Sequence, residues 1–303
     1  MARSYSIYDV FTEEKLKGNP LAVVFDAEGL STETMQAIAR EFNLSETVFL
    51  LASEAPACKA QLRIFTPSAE LPFAGHPTVG TAIALAEREH GDVELDVVCM
   101  LEEKIGPVRC AVRLRPGEVS FSEFDLPRKP QSITLPLDLH GIANSLSLKS
   151  SDLGFENHVP SLWTAGVPFI MIPVRDLGAA AQIEFDPQSW EHTAPFVDGR
   201  LASAYVYCRS GIHHAADFHT RMFTSDMGLI EDPATGSAAA AFSGAVVHFD
   251  KPVDGHYPIL IEQGVEMGRA SYIHLHIDLE GGLINNARIG GHALKVADGV
   301  LDL

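Results

Sequence analysis

The 303-residue chain has little of what marks a membrane, secreted or nucleic-acid-binding protein. Nowhere do about 18 uncharged apolar residues run together, the length that a spanning helix requires. The opening "MARSYSIYDVFTEEKLKGNP" has no apolar segment behind its early arginine, so neither a signal peptide nor a membrane span is expected, and a cytoplasmic protein is. Basic residues are scarce: 22 Lys plus Arg stand against 40 Asp plus Glu, a formal charge of −18, and no basic run offsets it. That balance argues against nucleic acid and against anionic membrane as partners. The four cysteines, Cys58, Cys99, Cys110 and Cys208, form no C-x-x-C and no Cys/His ligand spacing, so free thiols are expected rather than a disulfide framework. His274 and His276 share a strand face in "HLH" and "IHHAADFH" is rich in histidine, yet no third ligand sits at a recognisable spacing; no metal is expected.

What is present is a 46% hydrophobic chain long enough for two ordinary cores. Short β-like runs dominate: "PLAVVFD", "TVFLLAS", "AQLRIFT", "VRCAVRL", "FIMIPV", "SAYVYC" and "YIHLHIDL", several alternating with period two. The first half adds helical windows "TETMQAIAREFN", with Ser31 or Thr32 as its cap, and "PTVGTAIALAEREHG". The stretch from Pro127 to Pro160 reads as a connection between halves.

An internal repeat organises these runs. "GNPLAVVF" (Gly18–Phe25) is echoed by "GVPFIMIP" (Gly166–Pro173), "NLSETVFL" by "RLASAYVY", "RIFT" by "RMFT", and "AGHPTVGTAIALA" from Ala74 by "ATGSAAAAFSGAV" from Ala234, in the same order at similar spacing. Four echoes in register imply two similar domains, each of strands plus an apolar helix. Both helices carry Ala, Gly, Val, Ile and Leu around the whole circumference, so each is expected to be buried on all sides, with its domain's sheet wrapped around it.

A buried helix still presents unpaired N–H groups at its first turn. "AGHPT" and "ATGS" bring little side-chain bulk there, and Pro77 suits the first turn, so a ligand carboxylate can approach. Ser, Thr and Gly at these places also serve as ordinary caps. The repeat is broken where chemistry is to be expected: Glu46 stands opposite Ser203, His76 opposite Gly236, and the Glu231–Asp232 pair has no acid directly before "AGHPT", Glu70 lying further back. A carboxyl in an apolar cleft beside a second carboxylate has its proton affinity raised, as a general acid/base requires.

"KGNPLAVV", "NLSETVFL", "LRIFTPSAELPFAGHPTVGTA" and "RMFTSDMGLIEDPATGSAAAA" resemble the phenazine-biosynthesis isomerase (PhzF-like) family over nearly the whole chain. The resemblance implies an α+β, diaminopimelate-epimerase-like fold: two pseudo-symmetric barrels, each closed around a central helix, over 1–127 plus 290–303 and over 128–289, with the active site in the cleft between them. It implies a cofactor-independent isomerase in which Glu46 moves a proton between carbons of a small carboxylate substrate, with His76 and Asp232 assisting. Ser45, Gly75, Pro77, Thr235, Gly236 and Ser237 are the substrate-binding positions it implies, no metal is called for, and a homodimer is expected. Epimerases of this fold use one cysteine at each helix mouth; here Ala74 and Ala234 stand at about those places, which disfavours a two-thiol racemase. An epimerase using Glu46 and Asp232 as bases, and a member that only binds, remain as alternatives.

Overall fold

In the computed structural model, which describes residues 2–225 and 229–303, the chain forms two compact units, Met1–Pro127 with Ile289–Leu303, and Arg128–Arg288. The Asp226–Gly228 piece of the "RMFTSDMGLI" motif lies outside the described residues.

The first unit contains β1 (Arg3–Val10), β2 (Asn19–Val24), α1 (Thr32–Phe42), β3 (Glu46–Leu51), β4 (Ala60–Phe65), β5 (Glu70–Leu71), α2 (Gly75–His90), β6 (Leu95–Glu103), β7 (Gly106–Leu114) and β8 (Ser120–Asp125). Around the ring, β1–β2 and β3–β4 are antiparallel, β2–β3 and β4–β6 parallel, and β6–β7–β8 antiparallel. The last strand of the chain pairs with β8 on one side and antiparallel with β1 on the other, which closes an eight-stranded barrel. Closure leaves these strands no free edge. Inside lies α2, buried from Gly75 through Ala84 and touching β1, β2, β3, β6, β7 and β8. Gly80 marks the closest approach: a Cβ there would sit 2.6 Å from the Leu21 side chain and 2.7 Å from that of Val10. Outside the barrel, α1 follows its Ser31 cap, whose hydroxyl accepts the Thr34 N–H, and buries Met35, Ile38 and Ala39 against Val24, Phe49 and Phe65. Those helix positions, i, i+3 and i+4, are the apolar stripe of an amphipathic helix.

The second unit runs β9 (Gln131–Ile133), α3 (Leu139–Ser145), β10 (Ser161–Thr164), β11 (Pro168–Pro173), α4 (Leu177–Ala181), α5 (Pro187–Thr193), β12 (Phe196–Val197), β13 (Arg200–Leu201), β14 (Ser203–Arg209), β15 (Phe218–Phe223), β16 (Glu231–Asp232), α6 (Gly236–Asp250), β17 (Gly255–Gln263) and β18 (Ser271–Glu280), with β19 (Leu283–Leu301) as the strand that continues into the first unit. Its pairing repeats the first unit's: β10–β11 antiparallel, β11–β14 parallel, β14–β15 antiparallel, β15–β17 parallel, β17–β18 antiparallel. The apolar α6 is touched by β9, β10, β11 and β18, with Gly244 against the Trp163 ring.

The stretch from Pro127 to Pro160 is more than a connection. Ile142, Leu146 and Leu148 are buried in a core with Ile170, Ile172, Trp190 and Val206, so α3 and α5 cover the outer face of β11 and β14. Short helices broken by caps at Asp138 and Asp186 hide the periodicity that a longer helix would show.

Candidate active site

Register places the repeat's differences with more resolution than sequence spacing allows. Glu46 opens β3 opposite Leu21 of β2, and Ser203 opens β14 opposite Phe169 of β11, so the two positions are equivalent. The same register sets Asn19 opposite Val167 in the repeat. Glu70 and Glu231 pair with Phe65 and Phe223 at corresponding places, and each carboxylate forks onto an arginine of the neighbouring strand: Arg63 Nε and Nη2 reach Glu70 at 2.8 and 2.9 Å, and Arg221 Nε and Nη2 reach Glu231 at the same distances. Glu231 is thereby one of two matching structural forks, and the true departure is Asp232, which stands where the first unit has Leu71. The helices begin at Gly75 and Gly236, so His76 corresponds to Ser237 and not to Gly236.

In the first unit the differences converge. Glu46 is 5% exposed and His76 3%, and Oε2 of the one lies 3.2 Å from Nε2 of the other, within charge-pair range although without the alignment of a hydrogen bond. Nδ1 of His76 meets the side-chain amide of Asn19 at 3.2 Å, and the Pro20 backbone also hydrogen-bonds the ring. Burial pushes the imidazole down to about 3, against the weaker upward pull of Pro20, so the ring is neutral. A neutral ring carries one proton and has two matched states. With the proton on Nε2, the ring faces a Glu46 carboxylate while Nδ1 accepts from Asn19; with the proton on Nδ1, directed to Pro20, Nε2 offers its lone pair to a protonated Glu46. The states differ by one proton on Glu46. Ser45, Gly75 and Pro77 are buried beside this pair in the chain.

In the second unit Asp232 is 5% exposed and accepts the Thr235 hydroxyl at 2.5 Å. Gln263 holds the turn: its Nε2 donates to the Asp232 carbonyl at 2.8 Å and to the Thr235 hydroxyl at 3.0 Å, while its Oε1 accepts the Thr235 N–H at 3.3 Å. Gly236 is buried and Ser237 half-exposed at the start of α6. Neither central helix has a side-chain cap on its first-turn amides, for the Ala74 side chain has no oxygen and the Thr235 hydroxyl is turned to Asp232. Asn19 and Gln263 were legible in the sequence only as one unremarked mismatch, Asn19 against Val167, and as a polar residue ending an apolar strand.

The four cysteines are free, and none lies in the Ala74–Thr78 or Ala234–Ala238 turns. Among the described residues Glu156, His158 and Asp250 form a group with metal-ligand chemistry, but Arg209 donates to Glu156 and Asp250 and its guanidinium already supplies the positive charge. No helix of the described residues is long and apolar enough to cross a membrane.

Comparison with known proteins bears on the family and the fold. Residues 8–299 match the model of a family described as phenazine biosynthesis-like protein. An uncharacterised isomerase of Mesorhizobium japonicum is 54% identical over 99% of this chain and 98% of its own. The trans-2,3-dihydro-3-hydroxyanthranilate isomerase of Pseudomonas aeruginosa is 32% identical over 97% of this chain and 98% of its own. The crystal structure of a Bacillus anthracis phenazine biosynthesis protein of the PhzF family superposes with a TM-score of 0.87 at 26% identity, covering all of both chains.

Proposed function

Because the chain belongs to the phenazine biosynthesis-like (PhzF) family and is an isomerase, we propose that it moves a proton between carbons of a small carboxylate, with Glu46 taking and returning that proton. The observation that carries the proposal is the Glu46–His76 contact, which the second unit replaces by Ser203 and Ser237. Sheet and helix packing are common to both units, so packing alone does not call for these side chains. A buried carboxyl beside a neutral imidazole that can face either of its protonation states is suited to general acid/base work. His76 is the group that follows Glu46 through the cycle, and Asn19 orients it.

Asp232 is assigned to the same reaction because it too departs from the repeat and is buried at the start of a central helix. Its bond from Thr235 fixes the carboxylate for a substrate amine or hydroxyl. The uncapped amides near Gly75 and near Thr235, Gly236 and Ser237 suit the substrate carboxylate. The step needs no cofactor, since the acidity comes from the substrate's own conjugation and from preorganised dipoles. The buried Asp232 also supports a second reading, an epimerase with Glu46 and Asp232 as its two bases.

The test is solvent exchange in D₂O, followed by NMR, across a panel of cyclic and acyclic hydroxy- and amino-carboxylates that includes trans-2,3-dihydro-3-hydroxyanthranilate. Carbon-bound deuterium in one class of carboxylate supports the proposal. Carboxylates that bind without any exchange would reduce the protein to a binder. One-base isomerisation returns part of the original protium to the product, whereas two-base epimerisation takes the new hydrogen from solvent, which separates the two enzyme readings.

A further inference from the structure

Glu103, the last residue of β6, has no part in the reaction proposed above, yet it is a carboxyl 4% exposed directly under the first turn of α2. Its Oε1 lies 2.7 Å from the Thr78 hydroxyl, and that same hydroxyl lies 2.7 Å from the Ala74 carbonyl. The two contacts bear on the protonation state. A hydroxyl has one hydrogen, a carbonyl has none, and two close oxygen–oxygen contacts need two hydrogens. Both contacts are satisfied at once when Thr78 donates to Ala74 and Glu103 supplies the other hydrogen as the uncharged acid. Its remaining oxygen, Oε2, is buried with no hydrogen-bond partner, a place far costlier for an anion than for a neutral acid.

Register adds an independent observation. Leu101 and Glu102 of β6 pair with Ala60 and Gln61 as Ile261 and Glu262 of β17 pair with Phe218 and His219, so Glu103 corresponds to Gln263. Both side chains lie at the residue before a central helix: the Ala74 amide is close enough to Glu103 to favour its anion, and Gln263 Oε1 accepts the Thr235 N–H. The second unit thus uses a permanently neutral amide where the first uses an acid that can lose its proton.

We propose that Glu103 is a positioning residue for the Glu46–His76 pair, that it holds the first turn of α2 only as the neutral acid, and that its ionisation disables the site. Burial pushes the carboxyl up to about 8, outweighing the Thr78 hydroxyl and the Ala74 amide, which favour the anion. On ionisation the Thr78 hydroxyl turns from Ala74 to the carboxylate, and a negative charge arises beneath the turn carrying His76. That charge competes with a substrate carboxylate for the same helix end. The titratable groups on the elements packed here are His76 on α2, Cys110 on β7, whose thiol is raised chiefly by Cys99 and by burial and further by Glu103, and Asp125 on β8, which pairs with Arg109; Lys104, next in the chain, is bound to Glu70.

The inference rests on the proposed reaction for its consequence, though not for its test. Protein labelled with ¹³C at glutamate Cδ and ¹⁵N in histidine is titrated by NMR. One glutamate carboxyl that persists in Glu46→Gln is expected to titrate with a midpoint near 8, and the His76 ring resonances to shift with the same midpoint. Glu103→Gln, which reproduces the neutral state, removes both transitions, and in any exchange assay kcat/KM loses the alkaline limb in which wild type falls about tenfold per pH unit. If every glutamate of the native protein titrates near the ordinary value of about 4.3, or if the His76 ring is unmoved while Glu103 ionises, the inference is wrong. The midpoint and the ring shift are both read in wild type, with Glu46→Gln serving only to set the Glu46 carboxyl aside, so they stand even if Glu103→Gln does not fold. Absence of turnover with any carboxylate would count against the reaction and leave this result intact.

Discussion

His76 can accompany Glu46 through two protonation states because burial keeps its ring neutral and Asn19 supports one of its two tautomers. Asn19→Val installs the residue that the repeat carries at Val167, where a valine fits the corresponding strand start. It is expected to leave the fold intact, to lower kcat about 10²-fold, at the lower end of what a positioned acid/base contributes, and to change KM little; steady-state kinetics with circular dichroism check this. His219 is a residue-scale case of a different kind. Burial alone would lower its pKa, but Glu262 at 2.7 Å and Glu266 at 2.9 Å accept from its two nitrogens and together raise it from 6.5 to about 9. A raised pKa stabilises the fold below the unfolded value and is lost as pH rises through the folded one. Between pH 6.5 and somewhat above 9 the wild type is expected to lose roughly 3 kcal/mol more than His219→Gln, measured by urea unfolding. At this scale Glu46, His76 and Asp232 were legible because they break a repeat. Asn19, Gln263 and Glu103 were not, since their meaning depends on which polar group each one meets, and those partners lie between 25 and 57 residues away.

At the scale of elements, α2 is set by close packing with little help from polarity. Because its residues are apolar all round, small side chains decide how near the strands come, and Gly80→Ala puts a methyl group into Leu21 and Val10. A cost of about 1–3 kcal/mol is expected, read as a lower midpoint in thermal or urea melts with unchanged m-value; an unaltered midpoint would mean that α2 shifts freely inside its barrel. The seven strands named from the sequence, from "PLAVVFD" to "YIHLHIDL", are all present, and both helical windows of the first half are α1 and α2. These segments are apolar or cleanly alternating because they are buried on one or both faces. The strands β1, β6, β8, β17 and β19 were harder to see, since much of their length is half-exposed and mixes charge with apolar residues. The helices α3 to α5 were missed for being only 5–7 residues long, too short for a 3.6-residue period to declare itself.

For the whole molecule, duplication accounts for the scaffold and for where the proposed chemistry is placed on it. One arrangement of strands around a central helix occurs twice, and the paired forks Arg63–Glu70 and Arg221–Glu231 show that shared polar features serve structure. The proposed chemistry is assigned to what is not shared: Glu46 and His76 in one unit, Asp232 in the other. The most direct measurement takes a carboxylate that exchanges in D₂O and compares wild type, Asp232→Asn and Glu46→Gln by NMR at equal protein concentration. Glu46→Gln is nearly isosteric and is expected to keep the fold and lose exchange by at least about 10³-fold, as removal of a proton-transferring group does, while Asp232→Asn weakens turnover through substrate orientation. Exchange by folded Glu46→Gln at close to the wild-type rate would contradict the assignment of Glu46 as the group that moves the proton.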